Sequence, residues 1–210
     1  RFACVYAFPH PYASAPIKAI KDHATMLGFE LGDDQDVALT TMDTKSQIMA
    51  LQKFKPDVLW HGNTTMCVSA TARDAYALGL GADWLSNYWG TDENLWKLAG
   101  KAADGVMCAG PAYFFDDNRG KMKLVHDYAA KYNPGIPYKD RIKFTVTGWC
   151  NVLLLTEAMK RADKAGDLTG PGILQKGFET IKDYALLDGG LGTSPVIRAS
   201  GILPSGPPRK

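Results

Sequence analysis

The sequence predicts an α/β protein built on a parallel, doubly wound sheet, and the segment 55–90 carries most of that prediction. An apolar run at 58–60 lies between a proline and a Gly-Asn turn, as expected of a buried strand. A helix with apolar residues at helical spacing follows at 66–78, and Gly79 is placed to end it in a left-handed conformation. A second strand covers 84–87. Strand–helix–strand units join parallel strands, so the loops after both strands meet at one edge of the sheet.

The other elements of the first half continue this alternation in chain order. They are a strand at 2–8, a proline-containing loop to 14, a helix at 15–27 ended by Gly28, a strand at 29–39 broken at 32–34, a helix at 44–54, and, beyond the central unit, a helix at 92–103 and a strand at 106–109. Regular alternation of this kind predicts a parallel sheet with helices on both faces.

The pattern changes at Gly110, where strands stop and helices continue. Helices are predicted at 120–132, 145–162 and 171–181, followed by a glycine-rich loop at 188–192 and a proline-rich tail. We therefore predict three parts: a ligand-binding α/β lobe at 1–110, a helical segment at 111–182, and a final crossing with an irregular tail at 183–210.

The helix at 145–162 is apolar around most of its circumference. Its apolar side chains include Trp149, Val152, Leu153, Leu155 and Met159. A helix of this kind has to be buried, and no strand lies near it in the sequence. We expect it to be covered by another chain, by a second copy of this chain in a dimer or by a segment absent from this sequence. The alternative is that the helix folds back on the sheet.

Composition excludes several classes of function. The chain has 210 residues, 46% of them apolar, and a formal charge of +2 with dispersed basic residues, so nucleic-acid binding is not indicated. It contains no run of eighteen apolar residues. Arg1 leads directly into an apolar strand, so we expect a further segment upstream.

No catalytic, metal or cofactor motif stands out in the sequence. The four cysteines Cys4, Cys67, Cys108 and Cys150 lack metal-ligand spacing and are interpreted as small buried residues, with a disulfide left open. Phosphate-binding glycine loops and nucleophile elbows are absent from the sequence. His61 ends a strand and is either a general base or, as we favour, a polar residue at a strand end.

Binding signals are stronger, because hydroxyl and aromatic side chains follow successive strands. They are His10, Tyr12 and Ser14; Thr64 and Thr65; Tyr88, Trp89 and Asp92; and Tyr113, Phe114 and Phe115. Hydroxyls beside a helix N-terminus attract a carboxylate, and aromatic walls with a few polar groups are typical of a small-molecule cleft. The alternative is that these aromatic rings only pack the loops.

These features together resemble type I periplasmic solute-binding proteins, in particular the branched-chain amino-acid and aromatic-acid receptors of ABC transporters. The resemblance extends over 2–195. It includes the loop that ends in Tyr12, PDVLWHGN at 56–63, ALGL at 77–80, LAG at 98–100 followed by DGV at 104–106, the helix at 149–161, and DGGL at 188–191.

The resemblance implies a two-lobed receptor of which this chain is the second lobe, followed by helices that return to the first. Ligand contacts would come from positions matching Tyr12, Thr64, Thr65, Tyr88, Phe144 and Trp149, and the loops add Ser14 and Trp89. The ligand would be a small carboxylate or amino-acid-like molecule. A membrane permease would be the partner, the location would be periplasmic, and neither cofactor nor catalysis is expected.

Two departures from the family pattern matter. Amino-acid receptors often carry an acidic residue where Tyr88 stands, so an acid without an α-amino group is favoured. The stretch 196–210 lacks the expected closing strand. Two alternatives stay open: a ligand-sensing domain of a receptor or regulator with the same fold, and an α/β enzyme using His61 or Asp92.

Overall fold

The computed structural model describes residues 1–108, 110 and 112–182. It divides into two compact units, the first being Arg1–Gly110 and the second beginning at Pro111. The predicted glycine-rich loop, final crossing and tail lie outside the described residues, and the three-part domain division stays a prediction.

The first unit contains one parallel sheet of five strands. In chain order they are β1 Phe2–Tyr6, β2 Gln35–Asp36, β3 Val58–Gly62, β4 Asp83–Ser86 and β5 Val106–Cys108. Their spatial order is β2-β1-β3-β4-β5, and every neighbouring pair is parallel. The predicted parallel α/β architecture is confirmed.

Five helices connect these strands: α1 Pro11–Ser14, α2 Ile17–Met26, α3 Lys45–Phe54, α4 Thr65–Leu78 and α5 Glu93–Ala99. Gly28 and Gly79 follow α2 and α4 with φ of 80° and 71°, as predicted for glycine after a helix end. A 3₁₀ turn, Gly100–Ala103, continues from α5 and carries the chain to β5.

The segment before α2 and the second strand differ from prediction. Prolines were expected to exclude helix until Ser14, but Pro11 starts α1, since a first-turn residue needs no N–H donor. Pro16 precedes α2, which therefore starts later than predicted. The predicted strand 29–39 is reduced to β2 and an isolated bridge between Phe2 and Leu31.

Backbone and side-chain hydrogen bonds together hold the chain before β2: the Phe2 N–H donates to the Glu30 carbonyl at 2.8 Å, and the Gly32 N–H donates to the Phe2 carbonyl at 2.9 Å. The Tyr6 hydroxyl donates to Asp34 Oδ2 over 2.9 Å, and Lys21 Nζ lies 2.9 Å from the same carboxylate. Asp36 Oδ1 accepts from the Phe8 N–H at 2.9 Å. These contacts place the edge segment against β1 without a long strand.

Helices cover both faces of the sheet, and each face has its own apolar core. On one face, Val5, Leu59 and Trp84 pack with Ile48 and Leu51 of α3, while the opposite face carries residues such as Cys4 and Ile17. Strands buried on both faces are typical of parallel sheets. Within this unit, Val68 and Ala72 of α4 also pack on Leu95 and Ala99 of α5.

The second unit contains α6 Met122–Tyr132, α7 Lys143–Lys164 and α8 Gly170–Gly172. The predicted third helix at 171–181 is wrong as a continuous α-helix, because α8 passes into a π-helical turn, Ile173–Gly177, and a 3₁₀ turn, Phe178–Thr180. Gly177 lies against the backbone of α7, where an added Cβ would be 2.5 Å from the Ala158 oxygen.

The two sides of α7 differ in burial. Val146, Ala158 and Ala162 are buried, and Leu153 packs against the core that α6 and α7 share. Val152 is 63% exposed, Leu155 43% and Met159 42%. The helix is thus not buried all round within the described chain, and its covering by another polypeptide stays a prediction.

All four cysteines are free thiols in the described chain. Cys4 and Cys67 are buried as predicted, whereas Cys108 and Cys150 are only half-buried. Burial raises the pKa of the Cys4 thiol to about 12 and that of Cys150 to about 11. These thiols are therefore protonated at neutral pH.

Candidate ligand-binding site

The loops that follow β1, β3 and β4 lie at the same edge of the sheet. The register pairs Tyr6 with Gly62 and His61 with Ser86, so these three strands end nearly level. Side chains just beyond the strand ends therefore come together, as the parallel topology requires.

The side-chain amide of Asn87 joins the loops after β1 and β4. Asn87 Nδ2 donates to the Tyr12 hydroxyl oxygen, and Asn87 Oδ1 accepts from the Gly90 N–H at 2.8 Å. Burial raises the pKa of Tyr12 to about 12, outweighing the lowering by hydrogen bonds from Asn87 and the Trp89 backbone. The phenol is thus neutral and held in place.

The two threonines at the start of α4 have different partners. Thr64 takes the position before the helix, and its side chain makes no capping hydrogen bond. Instead, Asn63 Oδ1 accepts the Thr64 N–H at 2.8 Å. The Thr65 hydroxyl lies 2.9 Å from Asp92 Oδ2 and 3.1 Å from the Trp89 carbonyl oxygen, so it connects α4 to the loop after β4.

The loop after β4 presents two aromatic rings from a tightly packed 3₁₀ turn, Tyr88–Gly90. The rings of Tyr88 and Trp89 meet edge-on with centroids 6.2 Å apart, and Trp89 is 52% exposed. An added Cβ on Gly90 would lie 2.3 Å from Ser86 Oγ and 2.8 Å from Val68 Cγ2. Close packing under the turn therefore determines where the two rings stand.

Two further polar atoms near this edge have no hydrogen-bond partner among the described residues. They are the Ser14 hydroxyl, at the end of α1, and Trp60 Nε1, on β3. Ser14 is half-buried and ends α1, the short helix that also contains Tyr12. This predicted site residue therefore lies close to Tyr12.

His61 is enclosed and is not a base at the ligand edge. Its ring stacks on Trp84 with centroids 6.0 Å apart, and it is fully buried. Nε2 lies 3.0 Å from Thr71 Oγ1, whose only proton goes to the Cys67 carbonyl at 2.8 Å. Nε2 therefore donates, Nδ1 has no partner among the described residues, and burial lowers the pKa to about 3.

Asp92, the other residue of the enzyme alternative, also has a structural position. It is 5% exposed and starts α5, where Oδ1 accepts from the Asn94 N–H at 2.8 Å. Its Oδ2 accepts from Thr65. Of the two residues considered for catalysis, His61 is thus packed in the core and Asp92 caps a helix.

Phe144 and Trp149 belong to the second unit. Phe144 is half-buried in the first turn of α7, with Lys143 Nζ 5.9 Å from its ring centroid. Trp149 meets the Tyr128 ring edge-on at 5.4 Å and packs against the core of α6 and α7. Their contribution to a ligand site stays a prediction.

The site residues predicted from the sequence do not include two asparagines whose side chains connect the loops of the site. Asn87 connects the loops after β1 and β4, and Asn63 donates through Nδ2 to the Val37 carbonyl at 2.7 Å, connecting the loops after β2 and β3. Both directly follow a strand and precede a helical turn. An amide in that position, able to donate and accept at once, is the signal that could have found them.

Within the described ranges, no group of three or more His, Cys, Asp or Glu residues is placed to hold a metal ion. In the same part of the chain, no helix is long and apolar enough to cross a membrane.

The first unit is thus a parallel α/β lobe with hydroxyl and aromatic side chains gathered at one edge of its sheet. The chain belongs to the periplasmic binding protein family, whose model matches residues 1–201. No match was found among curated proteins.

Solved structures show the same fold. The chain is similar to a branched-chain amino acid ABC transporter structure from Thermus thermophilus with bound valine (24% identity, TM-score 0.73, 83% of this chain and 46% of that one). It is similar to an ABC transporter substrate-binding protein from Aeropyrum pernix (26%, 0.74, 90% and 50%). A fatty acid ABC transporter substrate-binding protein from Thermomonospora curvata also matches (23%, 0.77, 92% and 48%). The chain thus spans about half the length of these structures.

Proposed function

We propose that this chain is part of the extracytoplasmic solute-binding component of an ABC transporter. The observation that carries the proposal is the convergence of Tyr12, Thr64 and Tyr88 at one sheet edge, with Asn87 bonding the first loop to the last. Family membership supports the same class of function. The proposed function requires no catalytic group.

The proposed ligand is a small carboxylate with an apolar body. The first-turn N–H groups of α4, at Thr65 and Met66, have no acceptor within the helix and attract an anion. Tyr12, Tyr88 and Trp89 supply aromatic surface beside them. Among the similar structures, one is described with bound valine and another as a fatty acid transporter component; both ligands combine a carboxylate with an aliphatic body.

The proposed mechanism follows from the two-lobed architecture of such receptors. A second lobe closes over the ligand by bending at the hinge, and the closed form is presented to a membrane permease. The structured loops of this chain would form one fixed wall of the cleft, because Asn87 and Thr65 tie them to each other before any ligand arrives. A wall assembled in advance reduces the entropy lost on binding.

The first prediction concerns the charge of the ligand. Tyr88 is a phenol, which is neutral at pH 7 and cannot neutralise an ammonium group. We expect the intact two-lobed protein to bind 4-methylpentanoate about tenfold or more tightly than leucine, which differs only by the α-amino group. Titration calorimetry with this matched pair measures the difference.

The Tyr88→Glu variant should reverse this order, because a charge-assisted hydrogen bond to the ammonium is worth about 1.5–3 kcal/mol. Tyr76→Glu is the matched control, since Tyr76 is 66% exposed near the opposite end of α4. Tight leucine binding by the unaltered protein, with no heat from either 4-methylpentanoate or 3-phenylpropanoate, would refute the proposed ligand class.

A further inference from the structure

A second hollow lies between α4 and α5 and shares Thr65 and Met66, in the first turn of α4, with the proposed ligand site. It encloses about 420 Å³ and is lined by Met42, Thr65, Met66, Ser69, Arg73, Asn94, Lys97 and Leu98. Surface hollows of this size fall within the range of small-molecule sites.

The walls of the hollow are two facing stripes of helical residues. Met66, Ser69 and Arg73 follow one another at three- and four-residue spacing on α4, and on α5 Lys97 and Leu98 lie three and four residues after Asn94. The buried contacts between these helices use other residues, such as Val68 and Leu95. The hollow therefore lies outside the packed interface between the helices.

Three large apolar side chains that line the hollow remain exposed. Met42 is 54% exposed, Met66 53% and Leu98 45%. Apolar side chains exposed together around one concavity indicate a binding surface. Methionine is suited to such a surface, because its flexible, polarisable side chain adapts to different apolar groups.

Cationic groups also line the hollow, and none of the described lining residues is acidic. The Arg73 guanidinium forms neither a hydrogen bond nor an ion pair with any described residue. Carboxylates nearby have other partners: Asp43 pairs with Lys45 Nζ at 2.9 Å, and Asp74 accepts from the Thr44 N–H at 2.6 Å. An anion from outside could therefore bind the guanidinium in bidentate geometry.

The polar groups at the bottom of the hollow are bonded inwards. The Ser69 hydroxyl donates to the Thr65 carbonyl at 2.6 Å, and the Thr65 hydroxyl contacts Asp92 and Trp89. The groups that remain for a ligand are the apolar side chains of the two methionines and the leucine, together with the Arg73 guanidinium.

We propose that this hollow is a second binding site, outside the sheet-edge cleft, for a small amphipathic carboxylate such as a medium-chain alkanoate. The carboxylate binds Arg73, with Lys97 adding positive charge, and the alkyl chain lies on Met42, Met66 and Leu98. The site does not depend on the proposed transport function, since none of its apolar or cationic residues belongs to the sheet-edge loops around Tyr12, Asn87 and Tyr88.

Methyl NMR of the chain labelled with ¹³C-methyl methionine tests the proposal, with octanoate and its neutral analogue octanamide as probes. The chain has seven methionines, so the reporters can be assigned individually. We expect octanoate to shift the Met42 signal saturably, with Met26 and Met107 unchanged; Met66 is not used to tell the two sites apart, because its N–H belongs to the proposed sheet-edge site. Octanamide should bind at least several-fold more weakly, because it lacks the charge.

Arg73→Gln should remove the preference for octanoate over octanamide, and Arg73→Lys should retain part of it. Lys53→Gln, at an exposed cation on α3, is the control for net charge. Tyr12→Phe should leave the Met42 response unchanged while affecting the sheet-edge site. The proposal is overturned if all methionines shift alike without saturation, or if octanoate binds Arg73→Gln as tightly as it binds the unaltered chain.

Discussion

Lowering the pH from 7 to 4 is expected to destabilise the first unit by about 3 kcal/mol through His61 alone. In the unfolded chain this imidazole has an ordinary pKa near 6.5, whereas burial holds the folded pKa at about 3. The unfolded state therefore binds a proton in this window and the folded state does not. Stability is fully present above pH 6.5 and is lost as the pH falls towards 3.

Equilibrium unfolding in urea at pH 7, 5.5 and 4 measures this dependence. His61→Gln should reduce the loss of unfolding free energy between pH 7 and 4 by about 3 kcal/mol relative to the unaltered chain, whatever its effect at pH 7. His23→Gln is the control, since His23 is exposed on α2. Equal pH dependence in all three proteins would contradict the buried, neutral state of His61.

The exposed side of α7 is expected to make the isolated chain self-associate. Val152, Leu155 and Met159 are each more than two-fifths exposed, and burying a large apolar side chain stabilises a complex by about 1.5–3 kcal/mol. Replacing Val152 and Leu155 together by glutamate should convert the associated species to a monomer. Sedimentation velocity at micromolar concentration separates the two.

Lys164→Glu changes the net charge by the same two units at an exposed position on another side of α7 and removes no apolar group, so this control should behave like the unaltered chain. A monodisperse monomer of the unaltered chain would mean that no polypeptide needs to cover this side of α7. The prediction made from the apolar character of the helix would then be wrong.

The alternation of strands and helices was predictable because the first unit obeys local rules. Gly28 and Gly79 mark helix ends that need positive φ, and the parallel pairing follows from the helices between strands. The short length of strand β2 was not predictable, because Asp34 and Asp36 there bond to distant residues through their side chains. The π-helical turn at Ile173–Gly177 likewise accompanies a tertiary contact with α7 that no local pattern shows.

The candidate site was predictable in position but not in the role of each side chain. Topology alone brings the loops after β1, β3 and β4 together, so Tyr12, Thr64 and Tyr88 could be foreseen. The direction of a side chain could not: strands covered on both faces carry no alternation of polar and apolar residues, so nothing showed that His61 points into the core. The inward hydrogen bond of Thr65 could not be predicted either, because its partner Asp92 is distant in the sequence.

The central claim is that ligand binds at the carboxyl edge of this sheet. Hydrogen exchange of the intact two-lobed protein, with and without 4-methylpentanoate, tests it most directly. The account predicts slower exchange of the amides of Thr65 and Met66 and of the turn Tyr88–Gly90, with no change at 80–83 on the opposite edge. Protection at 80–83, with the amides of α4 and the turn unaffected, would contradict it.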